Sequence, residues 1–302
     1  MNVLVTGSSG LVGSAVVARL TSGGDQVTRL VRTAPTPGTA EVYWDPDAKT
    51  IVTPALEGLD AVVHLAGENI ATGRWNPAKK RRIRDSRVEG TRLLCDALAQ
   101  LVAPPKVLVS ASAIGYYGDR GDRIMQEESR PGSDFLAEVC REWEAATAPA
   151  EERGLRVVRL RIGVVLTPDG GALHKMLTPF KLGLGGIIGN GRQYMSWIAL
   201  DDVVGIIQHA LTTDALRGPV NAISPNPVTN QDFTKTLGQV LKRPTVFPMP
   251  SVAARALFGE MADALMLSST RVEPARLRDS EYEFQFPELD GALRHLLGKA
   301  AA

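Results

Sequence analysis

A glycine-rich turn near the amino terminus constrains the fold of this 302-residue chain more than any other feature. The strand-like run Val3 to Thr6 leads directly into Gly7-Ser8-Ser9-Gly10-Leu11-Val12-Gly13, and a helical pattern runs from about Leu11 to Ser22. In such a turn, the first glycine permits the sharp bend, the second lets a pyrophosphate approach the backbone, and the third lets helix and strand pack closely. The amide groups and dipole at the helix start favour an anion. The spacing therefore predicts a dinucleotide site, with a purely structural turn as the less favoured alternative. The predicted contacts are Gly7, Ser9, Gly10, Leu11, Val12 and Gly13.

The end of the second predicted strand indicates which dinucleotide is bound. A site for NAD usually carries an acidic residue there, which binds the ribose 2′-hydroxyl. The strand Val27 to Arg32 contains no carboxylate. A guanidinium can hold a 2′-phosphate through paired charge-assisted hydrogen bonds. We therefore predict NADP(H) as the cofactor and Arg32 as the residue that binds its 2′-phosphate, with Arg29 as a solvated strand residue.

Strand and helix patterns alternate through the first half of the chain. This alternation predicts an α/β fold of the Rossmann type, a doubly wound parallel sheet with helices on both faces. After the first strand and helix, the predicted strands are Val27 to Arg32, Ala61 to Leu65, Lys106 to Ser110 and Leu155 to Arg161. The later helices are predicted from about Pro77 to Leu101 and from about Asp134 to Arg153.

Beyond about Gly170 the sequence changes to glycine-rich turns and shorter helical patterns. Thr229 is expected to cap a helix that runs from Asn230 to Lys242. We predict an NADP-binding Rossmann domain at 1–168 and a smaller carboxy-terminal substrate lobe at 169–302, with about 195–223 returning to the first domain.

Charge and composition exclude several classes of protein. The 34 lysines and arginines balance 33 acidic residues, so the net charge of +1 provides no overall field for nucleic acid or an anionic membrane, and any such surface would have to be local. A hydrophobic content of 44% supports a substantial core. Two cysteines exclude a disulfide-stapled fold and a thiolate zinc site, which favours a reducing compartment.

Targeting and membrane signals are not evident at the amino terminus or elsewhere in the sequence. We expect a cytoplasmic protein, although a processed organelle protein would have the same sequence features. Its expected partner is a small-molecule substrate, without nucleic acid, membrane or metal, and its expected state is a monomer or homodimer.

Several motifs together resemble the extended short-chain dehydrogenase/reductases. These are the glycine-rich turn, Asp60 to Gly67, Val88-Glu89-Gly90-Thr91 and Trp197 to Val203. Further segments resemble an atypical subgroup, the NAD(P)-dependent epimerase/dehydratase-like family, whose members are labelled nucleoside-diphosphate-sugar epimerases or cell-division inhibitors. They are Gly67 to Ile70, Arg74-Trp75-Asn76, Ser112 to Gly118, Pro179-Phe180, Leu182 to Gly186 and Phe286 to Leu289. The resemblance spans essentially the whole chain, including a characteristic segment at about Pro248 to Leu297, and implies a Rossmann-type sheet, NADP(H) binding and a substrate that is generally not established.

The resemblance also implies positions along the cofactor. Leu65, Ala66 and Gly67 follow the third predicted strand and are expected beside it. Arg87 replaces the Asn that most extended members have before V-x-G-T, and is expected to reach the cofactor, while Val165 is expected near the nicotinamide. For His64 we favour a satisfied buried histidine over a proton-transfer role.

The catalytic residues depart from the pattern of active short-chain dehydrogenases. Those enzymes use a Tyr-x-x-x-Lys pair in which lysine lowers the pKa of the tyrosine. None of the five tyrosines here has a lysine four residues on, and spacing from Ser112 places Leu136 and Cys140 at the corresponding helix positions. Ordinary sugar-nucleotide epimerase chemistry is therefore not assumed.

The loop after the fourth predicted strand contains candidate replacements for the Tyr-x-x-x-Lys pair. Tyr116 or Tyr117 is expected to supply a hydroxyl near the nicotinamide, with Ser112 as a hydrogen-bonding companion; an equally weighted alternative is that both tyrosines pack beside the cofactor. Cys140 is expected to be a buried structural thiol rather than a reactive one.

Two charged runs invite other interpretations. The run Lys79 to Arg84 suggests nucleic-acid binding, but its helical spacing favours a solvated helix face. Asp201-Asp202 resembles a metal pair, yet a helix start favoured by negative charge explains it better.

The leading prediction is an NADP(H)-binding oxidoreductase or epimerase-like enzyme with non-standard acid-base chemistry, acting on an unidentified small molecule. The alternative is a non-catalytic protein that binds NADP(H) and responds to it. Nucleic-acid binding through the basic helix is a third hypothesis, which predicts a steeply salt-dependent affinity.

Overall fold

A computed structural model describes residues 1–299, and within that range a parallel sheet dominates the fold. The main sheet has eight strands in the order β12-β8-β6-β5-β1-β2-β3-β4, and only the β3-β4 pair is antiparallel. The strands of the described range are β1 Asn2–Thr6, β2 Gln26–Val31, β3 Glu41–Asp45, β4 Thr50–Ile51, β5 Ala61–His64, β6 Val107–Ala113, β7 Ile124–Met125, β8 Arg156–Ile162, β9 Val164–Leu166, β10 Tyr194–Met195, β11 Trp197–Ala199, β12 Gly218–Ala222, β13 Val228–Thr229 and β14 Arg271–Val272.

Helices cover both faces of this sheet, which confirms the predicted Rossmann-type fold. The α-helices of residues 1–299 are α1 Leu11–Ser22, α2 Pro77–Ala99, α3 Phe135–Ala145, α4 Ala148–Glu152, α5 Gly171–Lys181, α6 Leu200–Thr212, α7 Asn230–Leu241, α8 Ser251–Phe258, α9 Glu260–Ala262, α10 Ala275–Asp279 and α11 Leu289–Leu296. Short 3-10 turns lie at Thr53–Leu56 and Ile114–Tyr117, and a π-helical turn at Asp263–Leu267.

The core follows from side-chain alternation along the buried strands. In β1, Val3 and Val5 face one layer, where they join a cluster with side chains of α1 and α6. Leu4 faces the other layer, where it joins Leu94 and Leu98 of α2. Successive β1 residues thus contact helices on opposite faces of the sheet, in which β1 lies between β5 and β2.

The observed elements agree with most predicted ones to within a few residues. Thr229 caps α7, because its Oγ1 accepts a hydrogen bond from the Asp232 amide at 3.2 Å. The prediction of one helix from Asp134 to Arg153 was wrong, since α3 ends at Ala145 and α4 begins at Ala148. Pro149 explains the break, because proline has no amide hydrogen to donate to the Ala145 carbonyl four residues earlier, and its ring clashes with that carbonyl.

The later part of the chain builds a third apolar cluster from α5, α7 and α11 around Trp197 and Phe233. The chain returns to the main sheet at β12, which pairs with β8. The last segment is tied to α6 by Asp202, whose carboxylate accepts hydrogen bonds from the amides of Gln285 and Phe286 at 2.8 and 3.0 Å. Among residues 1–299, no helix combines the length and apolarity needed to cross a bilayer.

Candidate functional site

The glycine-rich turn lies where the strand order reverses. Strands β1 and β5 are neighbours, and their successors run outward in opposite directions, so β1 and β5 flank the point at which doubly wound sheets bind ligands. Gly7 has φ +65°, and a Cβ there would lie 2.8 Å from the backbone carbonyl carbon of Leu65. The close approach of these two chain segments therefore requires glycine at position 7.

The second and third glycines complete a tight cradle. The Gly10 amide donates to the Gly7 carbonyl at 2.9 Å, and a Cβ on Gly13 would lie only 2.1 Å from that same oxygen. Helix α1 begins immediately afterwards with Gly10 as its N-cap; within the described chain no side chain caps it, and its first turn carries no acid. The first amides of α1 are therefore available to an anion. These uncapped amides, with no acidic side chain beside them, suit a diphosphate.

A polar cluster holds the β5 end of the cradle. Thr6 Oγ1 accepts hydrogen bonds from the amides of Leu65 and Ala66, both at 3.1 Å. The same hydroxyl lies 2.7 Å from Nδ1 of His64, whose Nε2 lies 2.9 Å from Thr91 Oγ1. His64 is fully buried, and burial lowers its pKa to about 4. The prediction of a satisfied buried histidine is confirmed.

Arg87 of α2 lies against Gly67, as a Cβ on Gly67 would be 3.3 Å from the guanidinium carbon. Its Nη1 donates to the carbonyls of Glu68 and Ile83 at 3.0 and 3.1 Å, and its guanidinium lies 5.1 Å from the Trp143 ring centre. Burial lowers the pKa of Arg87. The Arg87 guanidinium therefore lies beside the segment after β5, and among residues 1–299 no carboxylate forms an ion pair with it.

Val165 is brought towards the turn by the loop before α5. It lies in β9, which pairs with β11. A Cβ on Gly171 would be 3.7 Å from the Val165 carbonyl oxygen and 3.6 Å from Leu11 Cδ2. The start of α1 and strand β9 therefore face each other across Gly170 and Gly171.

Arg32 stands at the tip of β2, exposed, and makes no hydrogen bond or ion pair within the described part of the chain. Arg29 behaves differently: its Nη2 lies 2.6 Å from Glu41 Oε1 of the neighbouring strand. A carboxylate also lies near Arg32, that of Glu68, and the Lys79 ammonium at 2.6 Å holds the pKa of Glu68 below its usual range. Glu68 pairs with Lys79 and Arg82, and no ion pair among residues 1–299 occupies the Arg32 guanidinium.

The prediction of a solvated helix face for the cations of Lys79 to Arg84 was wrong for one of the five, Lys79. Lys79 is 4% exposed, whereas Arg81 and Arg82 are exposed. The Lys79 ammonium donates to Glu68 Oε1, to the Asn69 carbonyl at 2.7 Å and to Thr72 Oγ1 at 3.1 Å. All three N–H donors of the ammonium are used within the protein, so Lys79 holds the loop after β5 in place and is not solvated.

Ser112, at the end of β6, belongs to a buried polar network. Its hydroxyl donates to Glu144 Oε1 at 2.7 Å. The Glu144 carboxylate is held by both Nε and Nη2 of Arg161, each at 2.8 Å. Such a bidentate pair is strong and geometrically specific. Because the Ser112 proton points to Glu144, the lone pairs of Ser112 are left to accept from another donor.

The two tyrosines of the loop after β6 differ in their surroundings. Tyr117 is fully buried; its hydroxyl donates to Asn221 Oδ1 at 2.6 Å and accepts from Arg161 Nη1 at 3.0 Å. Burial raises the pKa of Tyr117 to about 12. Tyr116 is half-buried with its ring 3.5 Å from the Arg161 guanidinium carbon, and its hydroxyl has no hydrogen-bond partner in residues 1–299. The geometry thus favours packing for Tyr117 and leaves a free hydroxyl on Tyr116.

Leu136 and Cys140 lie one turn apart on α3, next to the same loop. A Cβ on Gly115 would be 3.4 Å from Leu136 Cβ and 3.8 Å from Cys140 Sγ. Cys140 is 4% exposed, and burial raises its pKa to about 12. The prediction of a buried thiol is confirmed, and neither side chain can exchange a proton at neutral pH.

Three members of these networks were not predicted from the sequence: Glu144, Asn221 and Glu68, the partner of Lys79. A signal was present for the ion pair, because Glu144 lies one helical turn after the buried Cys140 on α3, and Arg161 follows Leu160 near the end of a mostly buried strand. Charged residues in such positions are almost always paired.

The parallel sheet with a glycine cradle at its switch point defines a dinucleotide-binding protein of the Rossmann class. The chain belongs to the NAD dependent epimerase/dehydratase family, which matches residues 3–222, and residues 249–296 match a domain of unknown function, DUF1731.

Its relatives match over almost the whole chain. The epimerase family protein Mb2239 of Mycobacterium bovis is 45% identical over 96% of this chain and 96% of its own length. The crystal structure of human epimerase family protein SDR39U1 (isoform2) with NADPH superposes with a TM-score of 0.91 at 36% identity, covering 99% of this chain and 100% of that one. The nucleoside-diphosphate sugar epimerase from Corynebacterium glutamicum has a TM-score of 0.82 at 41% identity, covering 99% of this chain and 58% of that one.

Proposed function

We propose that this protein binds NADP(H) and acts on a small molecule as an oxidoreductase or epimerase-like enzyme of non-standard acid-base chemistry. The observation that carries the proposal is the bare cradle of Gly7, Gly10 and Gly13 at the start of α1, with the unpaired Arg32 at the tip of the adjacent strand. Human SDR39U1, similar along its full length, is crystallised with NADPH.

Each part of the cofactor has residues suited to it. The amides at the start of α1, beside Ser9, Leu11 and Val12, bind the diphosphate, and Arg32 binds the 2′-phosphate. Leu65, Ala66 and Gly67 line the middle of the cofactor. Arg87 reaches the cofactor beside Gly67, and Val165 lies near the nicotinamide, which when bound supplies a site for hydride transfer.

The chain's own acid-base groups would then be Tyr116 and Ser112. The Tyr116 hydroxyl is free, so it is the group that exchanges a proton with the substrate. Ser112 accepts a hydrogen bond from the substrate, since its own proton is held by Glu144. Tyr117, with both hydroxyl contacts used, positions Arg161 rather than reacting.

A second candidate function is a non-catalytic protein that responds to NADP(H). The observation in its favour is that Leu136 and Cys140, neither of which is an acid-base group, lie beside Gly115 at the helix positions where active short-chain dehydrogenases have tyrosine and lysine.

Two buried cysteines in the free thiol state accord with a reducing compartment, and we place the protein in the cytoplasm. One plant relative is named as chloroplastic.

Calorimetry with NADPH and NADH on the wild type, Arg32→Ala and Arg29→Ala tests the cofactor assignment. Charge-assisted hydrogen bonds are worth about 1.5–3 kcal/mol, so Arg32→Ala is expected to weaken NADPH binding about 10- to 100-fold and to leave NADH binding unchanged. Arg29→Ala is the matched control, because Arg29 pairs with Glu41. No heat with either dinucleotide, or an unchanged preference in Arg32→Ala, would contradict the proposal.

Turnover separates the two candidate functions. Purified protein is incubated with NADPH or NADP and a panel of carbonyl compounds and sugar nucleotides, and absorbance of the reduced nicotinamide is followed. Steady turnover that falls about 10²- to 10⁴-fold in Tyr116→Phe supports the enzyme. Tight binding without turnover across the panel supports the responsive binding protein.

A further inference from the structure

Two stretches in the carboxy-terminal half contain no aspartate or glutamate, Gly170 to Leu200 and Phe233 to Gly259. The chain as a whole carries a net charge of +1, so acid-free stretches with several cations concentrate positive charge locally. They contain seven lysines and arginines, which are Lys175, Lys181, Arg192, Lys235, Lys242, Arg243 and Arg255.

The structure places the middle parts of these stretches side by side, where α5 and α7 end. Arg243 Nε donates to the Lys181 carbonyl at 2.9 Å, and the Phe247 amide donates to the Gly185 carbonyl at 3.4 Å. A cluster of large apolar side chains projects into solvent from these two neighbouring segments. They are Leu182, Leu184, Val246 and Phe247, exposed by 69%, 56%, 68% and 56%.

The cations around these apolar side chains lack acidic partners. Within residues 1–299, Lys181, Lys235, Lys242 and Arg243 form no ion pair, whereas Arg255 of the same stretch pairs with Asp263 at 2.9 Å. Three of the four cations, Lys235, Lys242 and Arg243, line an open depression of about 430 Å³. We call the four cations and the four exposed apolar residues the basic-apolar patch.

We propose that the basic-apolar patch binds the surface of an anionic lipid membrane. Exposed large apolar side chains in contiguous groups mark interaction sites, and a bilayer interface takes up apolar side chains while its phosphates pair with lysine and arginine. This proposal departs from the absence of a membrane partner expected from net charge, because net charge averages over the whole surface and the patch is local. It does not depend on the proposed function.

Charge argues against other occupants. A second copy bound through the same patch in a two-fold contact would place the same cations opposite one another. A nucleic acid would pair with the cations but would leave Leu182, Leu184, Val246 and Phe247 in water. A membrane, anionic at its surface and apolar just beneath, matches both halves of the patch.

Sedimentation of the full chain with vesicles tests the proposal. Vesicles of phosphatidylcholine alone are compared with vesicles of phosphatidylcholine and phosphatidylglycerol. We expect binding to the anionic vesicles that weakens as salt is raised, and little binding to the neutral ones.

Variants separate the patch from a general surface effect. Each cation contributes about fivefold to partitioning, so Lys235→Gln with Lys242→Gln is expected to lower it about 25-fold. Lys49→Gln is the matched control for Lys242→Gln alone, which is expected to lower partitioning about fivefold, because Lys49 and Lys242 share a left-handed backbone, with φ 53° and 54°. Val246→Ser with Phe247→Ser is expected to lower partitioning, whereas Val102→Ser, at a site 90% exposed elsewhere, is not.

Thermal unfolding establishes that each variant is folded. The proposal is overturned if the anionic vesicles do not sediment the wild type, or if patch and control variants lose binding equally. It is also overturned if Val246→Ser with Phe247→Ser abolishes a concentration-dependent self-association instead of vesicle binding, or if an oligonucleotide binds the patch and vesicles do not.

Discussion

Gly13 lies so close to Gly7 that a Cβ atom at position 13 would be 2.1 Å from the Gly7 carbonyl oxygen. Gly13→Ala must therefore push α1 away from the turn, and overpacking of this kind costs about 1–3 kcal/mol of unfolding free energy. We also expect NADPH affinity to fall more than about tenfold, since the diphosphate cradle is displaced. Urea unfolding and calorimetry measure the two effects.

The control for this substitution is Gly291→Ala. Gly291 is exposed in α11 with no atom within 4 Å of a Cβ, so alanine there is expected to stabilise the protein by up to about 1 kcal/mol. If Gly13→Ala had the same unfolding free energy and the same NADPH affinity as the wild type, the turn would not be the cofactor cradle.

The Glu144 carboxylate holds Arg161, whose side chain is 3% exposed, together with the Ser112 hydroxyl. Glu144→Gln leaves a buried guanidinium without its counter-charge, and breaking a buried pair in this way costs about 3–5 kcal/mol. Glu138→Gln removes the partner of Arg141 in an exposed pair at 3.9 Å and is expected to change stability by less than about 0.5 kcal/mol. If Glu144→Gln and Glu138→Gln changed the free energy of urea unfolding equally, the buried network of Ser112, Glu144 and Arg161 would not stabilise the fold.

His64 makes stability depend on pH. Burial lowers its pKa to about 4 in the folded protein, against an ordinary histidine value of 6.5, so the unfolded chain binds more protons between these values. The contribution is present above pH 6.5 and is lost as pH falls towards 4, by up to about 3 kcal/mol. We expect the slope of unfolding free energy against pH in this window to be reduced in His64→Gln. A variant with the wild-type slope would assign the pH dependence to other groups.

The two thiols should resist alkylation in the folded protein. Burial raises the pKa of both Cys95 and Cys140 to about 12, so the thiolate fraction at pH 8 is about 10⁻⁴. Iodoacetamide followed by mass spectrometry is expected to modify neither thiol in the native state and both after unfolding in urea. Rapid native alkylation confined to Cys140 would instead support a reactive thiol beside the Tyr116 loop.

Local sequence patterns were sufficient to predict most strands of the main sheet and the glycine-rich turn after β1. The strands β1, β2, β5, β6 and β8 were predicted to within a few residues, because buried parallel strands are short apolar runs and the intervening helices have their own period. The glycine cradle was predictable for the same reason, since steric limits on φ and on backbone approach act between residues close in sequence. The capping of α7 by Thr229 is also a local contact.

Contacts between distant residues required the folded chain. Ser112 meets Glu144 across 32 positions and Tyr117 meets Asn221 across 104, so no local pattern distinguishes the buried Tyr117 from the half-buried Tyr116. Lys79 reads as one cation in a basic run, and only its position against Glu68 shows that it is buried and paired. The basic-apolar patch has the same origin, because its two stretches are more than thirty residues apart and become one surface only when α5 and α7 pack together. Backbone preferences are encoded residue by residue, whereas burial and pairing of charges depend on which segments the fold brings into contact.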